Sequence, residues 1–308
     1  MEFNDIKAEL EAWHHHPDLR QTHRLWARAE ALDFLHFAAT ILPELDAPQG
    51  DAAALAREVT RLTEALTACN DALFQWVRAA ITSGALRGNS LRAYFDQFVT
   101  PPKEGSDLSS QPVVNDGVRT SYGALDVLVD GIFGLQDAPA PTVTRTAEMV
   151  HCEETPALAI LDLVDQLDFG PQDRFYDLGC GLGQVVMLIH LLTGVSACGV
   201  EIEPQFVDFA QQQAAALGID DVHFFHADAQ TAAYSDGTIF FLFTPFRGAM
   251  LQRVLARLHA IAQKQPLRIC TFGPCTPTVA AQPWLRPHSV GIPHEYKLTV
   301  FDSQPLID

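Results

Sequence analysis

Basic residues are scarce in this chain: 20 Lys and Arg stand against 38 Asp and Glu in 308 residues, a formal charge of −18. Neutralising phosphates requires clustered Lys and Arg. No such cluster occurs, so direct nucleic-acid binding is not expected, and the acidic balance reads first as a source of solubility and second as an attraction for a basic partner. The six cysteines (Cys69, Cys152, Cys180, Cys198, Cys270 and Cys275) form no CxxC pair and no ladder of spacings. They read as reduced, mostly buried thiols. The run His14-His15-His16 has no cysteine beside it and supplies no ligand set, so no metal is expected. A long uninterrupted apolar run is also missing. The most apolar stretch, Val185 to Val200, holds a histidine and two glycines and reads as a buried helix followed by a strand, not as a membrane span. Met1 to Leu10 is acidic and broken by charges, unlike a signal sequence. The expectation is a cytoplasmic protein with no membrane partner.

What is present is a globular composition, 48% hydrophobic, in a chain long enough for two domains. Residues 1–99 read as a helical bundle. Asp18 to Leu42 carries Leu25, Leu32, Leu35 and Ile41 with aromatics between them, and Pro43 ends the run. Asp51 is a candidate N-cap for an Ala-rich segment with Leu55, Val59, Leu62, Leu66, Leu73 and Val77 at three- and four-residue steps, with a break expected at Cys69-Asn70-Asp71. A shorter helix follows around Leu91 to Phe98. Residues 100–120, rich in Pro, Gly, Ser and Asp up to Gly117, read as a linker or mobile loop.

Residues 121–308 form the second unit. A helix over Ser121 to about Phe133 and a Pro-rich stretch lead into alternating β runs and helices, the mark of a parallel sheet. The strands are expected at Arg174–Leu178, Ala197–Glu201, Val222–His226, Thr238–Phe243 and Leu267–Phe272. A final antiparallel hairpin is expected near His288–Ile292 and Tyr296–Phe301. The fold class is therefore α/β, a doubly wound sheet with a C-terminal antiparallel hairpin, preceded by an all-α domain.

The sharpest motif is Phe175-Tyr176-Asp177-Leu178-Gly179-Cys180-Gly181-Leu182-Gly183-Gln184. A β run ends on an acid, passes three alternate glycines and opens an apolar helix. Glycines let the backbone turn with positive φ and approach a ligand closely, and the first N–H groups of the helix face that ligand. A dinucleotide calls for G-x-G-x-x-G and a pyrophosphate at the helix start. An acid at the strand end instead suits a ligand with an ammonium or sulfonium group. Glu201, at the tip of the next strand, has two oxygens for the hydroxyls of a ribose. Asp228, in Phe225-His226-Ala227-Asp228-Ala229 after the third strand, is placed to accept from an adenine amine.

These motifs resemble those of class I S-adenosylmethionine-dependent methyltransferases, over about Glu148 to Asp302. More narrowly, the glycine loop is similar to that of the disruptor-of-telomeric-silencing family of histone lysine methyltransferases, close to D-L-G-S-G-V-G-Q-V-V. That family carries a Y-G-E-T loop before the Asp, and this chain has Cys152-Glu153-Glu154-Thr155, with Thr155 lying 22 residues before Asp177. The resemblance implies a seven-stranded sheet, S-adenosylmethionine as cofactor, Glu154 and Thr155 over its methionine end, Gln184 touching it from the helix start, and Asp228 serving the adenine. The cofactor set is then Glu154, Thr155, Asp177, Gly179, Gly181, Gly183, Gln184, Glu201, Asp228, Ala229 and Phe243. The family's aromatic in the first loop is Cys152 here, its Asn after strand four is Thr244, and its basic tail has no counterpart.

Methyl transfer from a sulfonium is an in-line displacement, so the protein's main task is to hold the acceptor lone pair behind the methyl group. Phe243-Thr244-Pro245-Phe246-Arg247 lies where the fourth strand reaches the cleft, and in part resembles the Asp/Asn-Pro-Pro-aromatic loop with which amino-group methyltransferases hold an amine. Thr244 and Phe246 are the candidate acceptor-site residues. A βα turn in which Pro starts the helix explains the same residues. Three readings follow. One is N-methylation of an amine such as a protein lysine, one a small-molecule methyltransferase under a helical lid, and one a non-catalytic cofactor-binding scaffold. The methyl acceptor itself is not specified.

Overall fold

The computed structural model describes residues 2–21, 24–45, 49–99, 123–289, 292–295 and 297–304. The expected linker at 100–120 and Tyr296 lie outside the described residues. Seven strands, β1 (Arg174–Leu178), β2 (Ser196–Glu201), β3 (Val222–His226), β4 (Ile239–Phe243), β5 (Arg268–Phe272), β6 (Leu285–Pro287) and β7 (Thr299–Ser303), form one sheet in the order β3-β2-β1-β4-β5-β7-β6. The first five are parallel, and β7 runs antiparallel to both β5 and β6. The expected terminal hairpin exists, shifted from its expected bounds. Its first strand ends at Pro287, before His288–Ile292, because Leu285 is the residue that pairs into the sheet opposite Ser303.

Alternation along the strands sends successive side chains to opposite faces. Phe175, Ala197, Phe241 and Cys270 pack on one side with helices α6 (Ala157–Gln166), α7 (Gln184–Thr193) and α8 (Pro204–Ala216). Tyr176, Cys198, Phe240 and Ile269 pack on the other with α9 (Gly248–Ala262) and α10 (Thr276–Ala280). The strand order reverses between β1, from which the chain steps outward to β2 and β3, and β4, from which it steps the other way to β5. In open α/β sheets that point leaves a crevice at the carboxyl ends of the strands.

The N-terminal helices are α1 (Phe3–His14), α2 (Leu25–Ile41), α3 (Gln49–Thr82) and α4 (Gly88–Val99), followed by α5 (Ala124–Phe133). Ile6, Leu10, Leu35, Leu55 and Val59 form a core of their own. The far end of α3 does something different. Leu73, Val77 and Ile81, with Leu91 and Phe95 of α4 and Leu128 and Ile132 of α5, join the same core as α6 and α7. Two details depart from the sequence pattern. The second helix begins at Leu25 because Asp18–Gln21 forms a turn closed by the Gln21 N–H on the Asp18 carbonyl. Helix α3 runs unbroken through Cys69-Asn70-Asp71, since the buried Asn70 side chain accepts from the Arg28 guanidinium at 2.6 Å and so has no need to bond the backbone. Asp51 sits inside the first turn, one position beyond Gly50, and acts through the helix dipole in place of a cap. Four of the six thiols are buried, Cys152 is half-buried and Cys69 is exposed. Among the described residues no helix is long and apolar enough to cross a membrane.

Candidate functional site

A cleft opens over the carboxyl ends of β1, β2 and β4, at the reversal point. Its floor is the bend after β1, where Gly179, Gly181 and Gly183 all have positive φ (91°, 51° and 81°). The bend is gripped from two sides. A Cβ added at Gly179 would run into the Pro245 ring, and one at Gly181 would lie 2.6 Å from Cys152 Sγ. Gly183 is different from its neighbours. It faces Phe224 and Ala210 in the core and starts α7 without lining the cleft. The other ten cofactor residues read from the sequence all line it.

Asp177 ends β1 in a buried position. Burial holds its carboxyl well above the usual carboxylate range, and the charge of Glu201 pushes in the same direction. A cation set against it would reverse both effects. Glu201 is tied into the floor. Its Oε2 accepts from the Gly181 N–H at 2.9 Å, and its Oε1 accepts from Ile202 and Glu203 at 2.7 and 2.9 Å. A carboxylate has about four acceptor lone pairs, so capacity remains for a hydroxyl. Asp228 binds its own turn, accepting from the Gln230 backbone at 2.8 Å and from the Gln230 amide at 3.2 and 3.0 Å. Ala229 is held behind it, its carbonyl accepting from the Tyr234 hydroxyl at 2.7 Å.

One observation tests the fit to a cofactor directly. Gln184 is buried at the start of α7, faces the cleft, and its Oε1 has no hydrogen-bond partner among the described residues. A buried acceptor left unpaired is costly unless a ligand donor supplies the bond. Asp177 and Gln184 bring to the cleft acceptors of the kind the ammonium of an amino acid requires, and Glu201 with Asp228 brings acceptors of the kind a nucleoside requires. The residues fit S-adenosylmethionine.

The remaining wall was not legible in the sequence. Residues 141–150 cross the cleft as a strap fastened at both ends by glutamates. Glu203 accepts from the backbones of Thr142 and Val143 at 2.6 and 2.7 Å and from the Thr142 hydroxyl at 2.7 Å. Glu148 accepts from the N–H groups of Ala249 and Met250 at the start of α9, at 2.6 and 3.2 Å. At the Glu148 end Met149 pairs antiparallel with Phe246, the Val150 N–H donates to the Pro245 carbonyl at 3.1 Å, and the Arg247 N–H donates to the Glu148 carbonyl at 2.9 Å. The expected signal for such a strap is weak because each staple joins residues far apart in the chain.

Phe243, which packs against Phe272 at a ring separation of 5.1 Å, and Phe246 both face the cleft beside Met149 and Met250. Thr244 does not. Its hydroxyl donates to the Phe272 carbonyl at 3.2 Å and accepts from the Cys275 N–H at 3.0 Å, so it points away from the cleft into the β5 turn. Its φ of 40° is the one positive value among the described non-glycine residues. A β-branched residue is strained there, whereas Asn tolerates that conformation. The Pro245 carbonyl, a natural acceptor for an amine, is occupied by Val150. Cys152 lines the cleft as a thiol, raised to about 12 by burial and by the charges of Glu201, Glu154 and Asp177.

Comparison with known proteins bears on the same half of the chain. The family model described as histone methylation protein DOT1 matches residues 144–238. A 23S rRNA (uracil(1939)-C(5))-methyltransferase from Shewanella sediminis is 40% identical over 65 residues, which cover 21% of this chain and 14% of that protein. The match thus spans a small part of the curated relative. An RNA methyltransferase from Salinibacter ruber, solved with S-adenosyl-L-homocysteine, is 24% identical over 50% of this chain and 94% of its own, with a TM-score of 0.40. A methyltransferase from Thiobacillus denitrificans, also solved with S-adenosyl-L-homocysteine, is 22% identical over 41% of this chain and 51% of its own, with a TM-score of 0.32. The expectation that nucleic acid is not a partner draws no support from such relatives. On strand order, glycine bend and family-model match, the chain carries the class I S-adenosylmethionine-dependent methyltransferase fold, and S-adenosylmethionine is the cofactor its cleft is built to hold.

Proposed function

We propose that the chain is an S-adenosylmethionine-dependent methyltransferase acting on a nitrogen of an amine, a protein lysine being the leading candidate. When bound, the cofactor supplies an electrophilic methyl group on a sulfonium. Asp177 and Gln184 accept from the ammonium of its amino-acid end, Glu154 and Thr155 cover that end, and Glu201 and Asp228 accept from ribose and adenine. Phe243 and Phe246 line the approach of the acceptor.

The observation that carries the nitrogen reading is the apolar wall made by Phe243, Phe246, Met149 and Met250 beside buried carboxylates. The aromatic faces attract a cationic amine as it enters, and desolvation against the same wall favours its neutral, nucleophilic form. Thr244 shapes this approach through the turn it holds, not through its hydroxyl. A base nitrogen of RNA is the second reading, favoured by the rRNA-methylating relative and by the aromatic faces, on which a base stacks.

The test is incubation with methyl-labelled cofactor and, in separate reactions, lysate protein, total RNA and a metabolite extract. Label in protein bands that resists RNase is expected. Label confined to RNA or to small molecules overturns the lysine reading, and no transfer to any fraction favours a cofactor-binding scaffold.

A further inference from the structure

The geometry points to Asp126, on α5 of the helical layer, as a positioning residue for the methionine end of the cofactor. This rests on the proposed cofactor reading, in which Glu154 and Thr155 cover that end. Helix α6 begins immediately after those two residues, and its N-cap is Pro156, whose side chain has no oxygen with which to cap. The orphan N–H groups of a helix start need an acceptor. Asp126 supplies it from another element: its Oδ1 accepts from the Ala157 N–H at 2.7 Å, and its Oδ2 accepts from the Gly123 N–H at 2.8 Å. One carboxylate thus caps α5 and α6 together. It is 5% exposed, and both oxygens are used.

Asp126 is itself held firmly. At Gly131 of α5 the missing Cβ leaves room for the ring of Phe74 on α3, which packs directly on the α5 backbone. Arg78 of α3 donates to the carbonyl of Ile132 near the end of α5 and to Gln213 of α8 at 3.3 Å. A line of packed groups therefore runs from α3 through α5 and Asp126 to the first turn of α6. The Glu154-Thr155 pair hangs from that turn, and Thr155 is buried with it. Asp126 does not line the cleft; it acts through Ala157.

The experiment compares two nucleosides by calorimetry on the full chain. S-adenosylhomocysteine carries the amino-acid end, and 5′-methylthioadenosine shares the adenosine and the sulfur but lacks that end. For Asp126→Ala, with folding checked by circular dichroism and thermal midpoint, affinity for S-adenosylhomocysteine is expected to fall about 10-fold while that for methylthioadenosine stays within about twofold. Asp126→Asn keeps one acceptor for Ala157 and is expected to retain most of the affinity, within about threefold. Parallel loss for both nucleosides, or unchanged affinity in both variants, overturns the positioning role. Wild-type protein that binds neither compound overturns the cofactor reading, and this inference with it.

Discussion

The β1–β2 wall of the cleft and the β4 wall are made of different material. Asp177, the glycine bend, Gln184 and Glu201 come from one short run of chain, and each presents an acceptor or a bare backbone to the ligand. The β4 wall is assembled from the turn at 244–247 and a strap that precedes the sheet, and its polar groups are spent on each other. Thr244 bonds Phe272 and Cys275, the Pro245 carbonyl bonds Val150, and Glu148 bonds the start of α9. What remains facing the cleft there is mostly apolar, led by Phe243, Phe246, Met149 and Met250, with Arg145 of the strap as its charged member. One wall presents mainly acceptors and bare backbone, the other mainly apolar shape.

The acceptor-lined wall depends most on Asp177. Asp177→Ala is expected to weaken S-adenosylhomocysteine binding roughly 10- to 100-fold, the worth of a hydrogen bond to a charged group. Equal affinities by calorimetry would remove the polar wall from the account. Gly179→Ala joins both walls, because its φ of 91° resists a side chain and its Cβ meets Pro245. A loss of about 2 kcal/mol in denaturant unfolding is expected, and an unchanged midpoint would mean that the walls do not touch. A smaller effect is expected at Thr244. Thr244→Ala should lower labelled-methyl transfer about fivefold, through loss of the turn's hydrogen bonds, while cofactor affinity holds. Thr244→Asn, which suits the positive φ, should keep the thermal midpoint. A change confined to cofactor affinity would place Thr244 on the wrong wall.

A pH-dependent effect belongs to Asp130, one turn beyond Asp126 on α5. Burial, with the charges of Asp126 and Glu154, raises its carboxyl from 3.8 to about 7. Between those values the folded chain keeps a proton that the unfolded chain has lost, so stability from this group is present at low pH and is lost as pH climbs to about 7. Asp130→Asn is expected to flatten that part of the thermal midpoint's pH dependence. Wild-type and variant curves that stay parallel over the window would show that the group does not feel its acidic neighbours.

Legibility followed the same division. Strands β1 to β5 and the residues at their ends that line the cleft were readable because each is signalled within a few residues, by an apolar run ending on an acid or a glycine. The β4 turn was half readable. Phe246 faces the cleft as its sequence position suggested, but the orientation of Thr244 depends on Phe272 and Cys275, which come from the next α/β unit. The unbroken course of α3 was hidden for a similar reason. Asn70 looks like a helix breaker until Arg28 is placed beside it, 42 residues earlier.

By itself the amino-acid order determined the α/β class, the bend after the first strand, and the acids and glycines that make it suit an adenosyl sulfonium, since all of these follow from local periodicity and backbone geometry. Tertiary structure alone decided which polar groups stay free to meet a ligand. Whether a hydroxyl, a carbonyl or a carboxylate is spent or available depends on partners distant in the chain, as Thr244, Pro245, Glu148 and Asp126 each show.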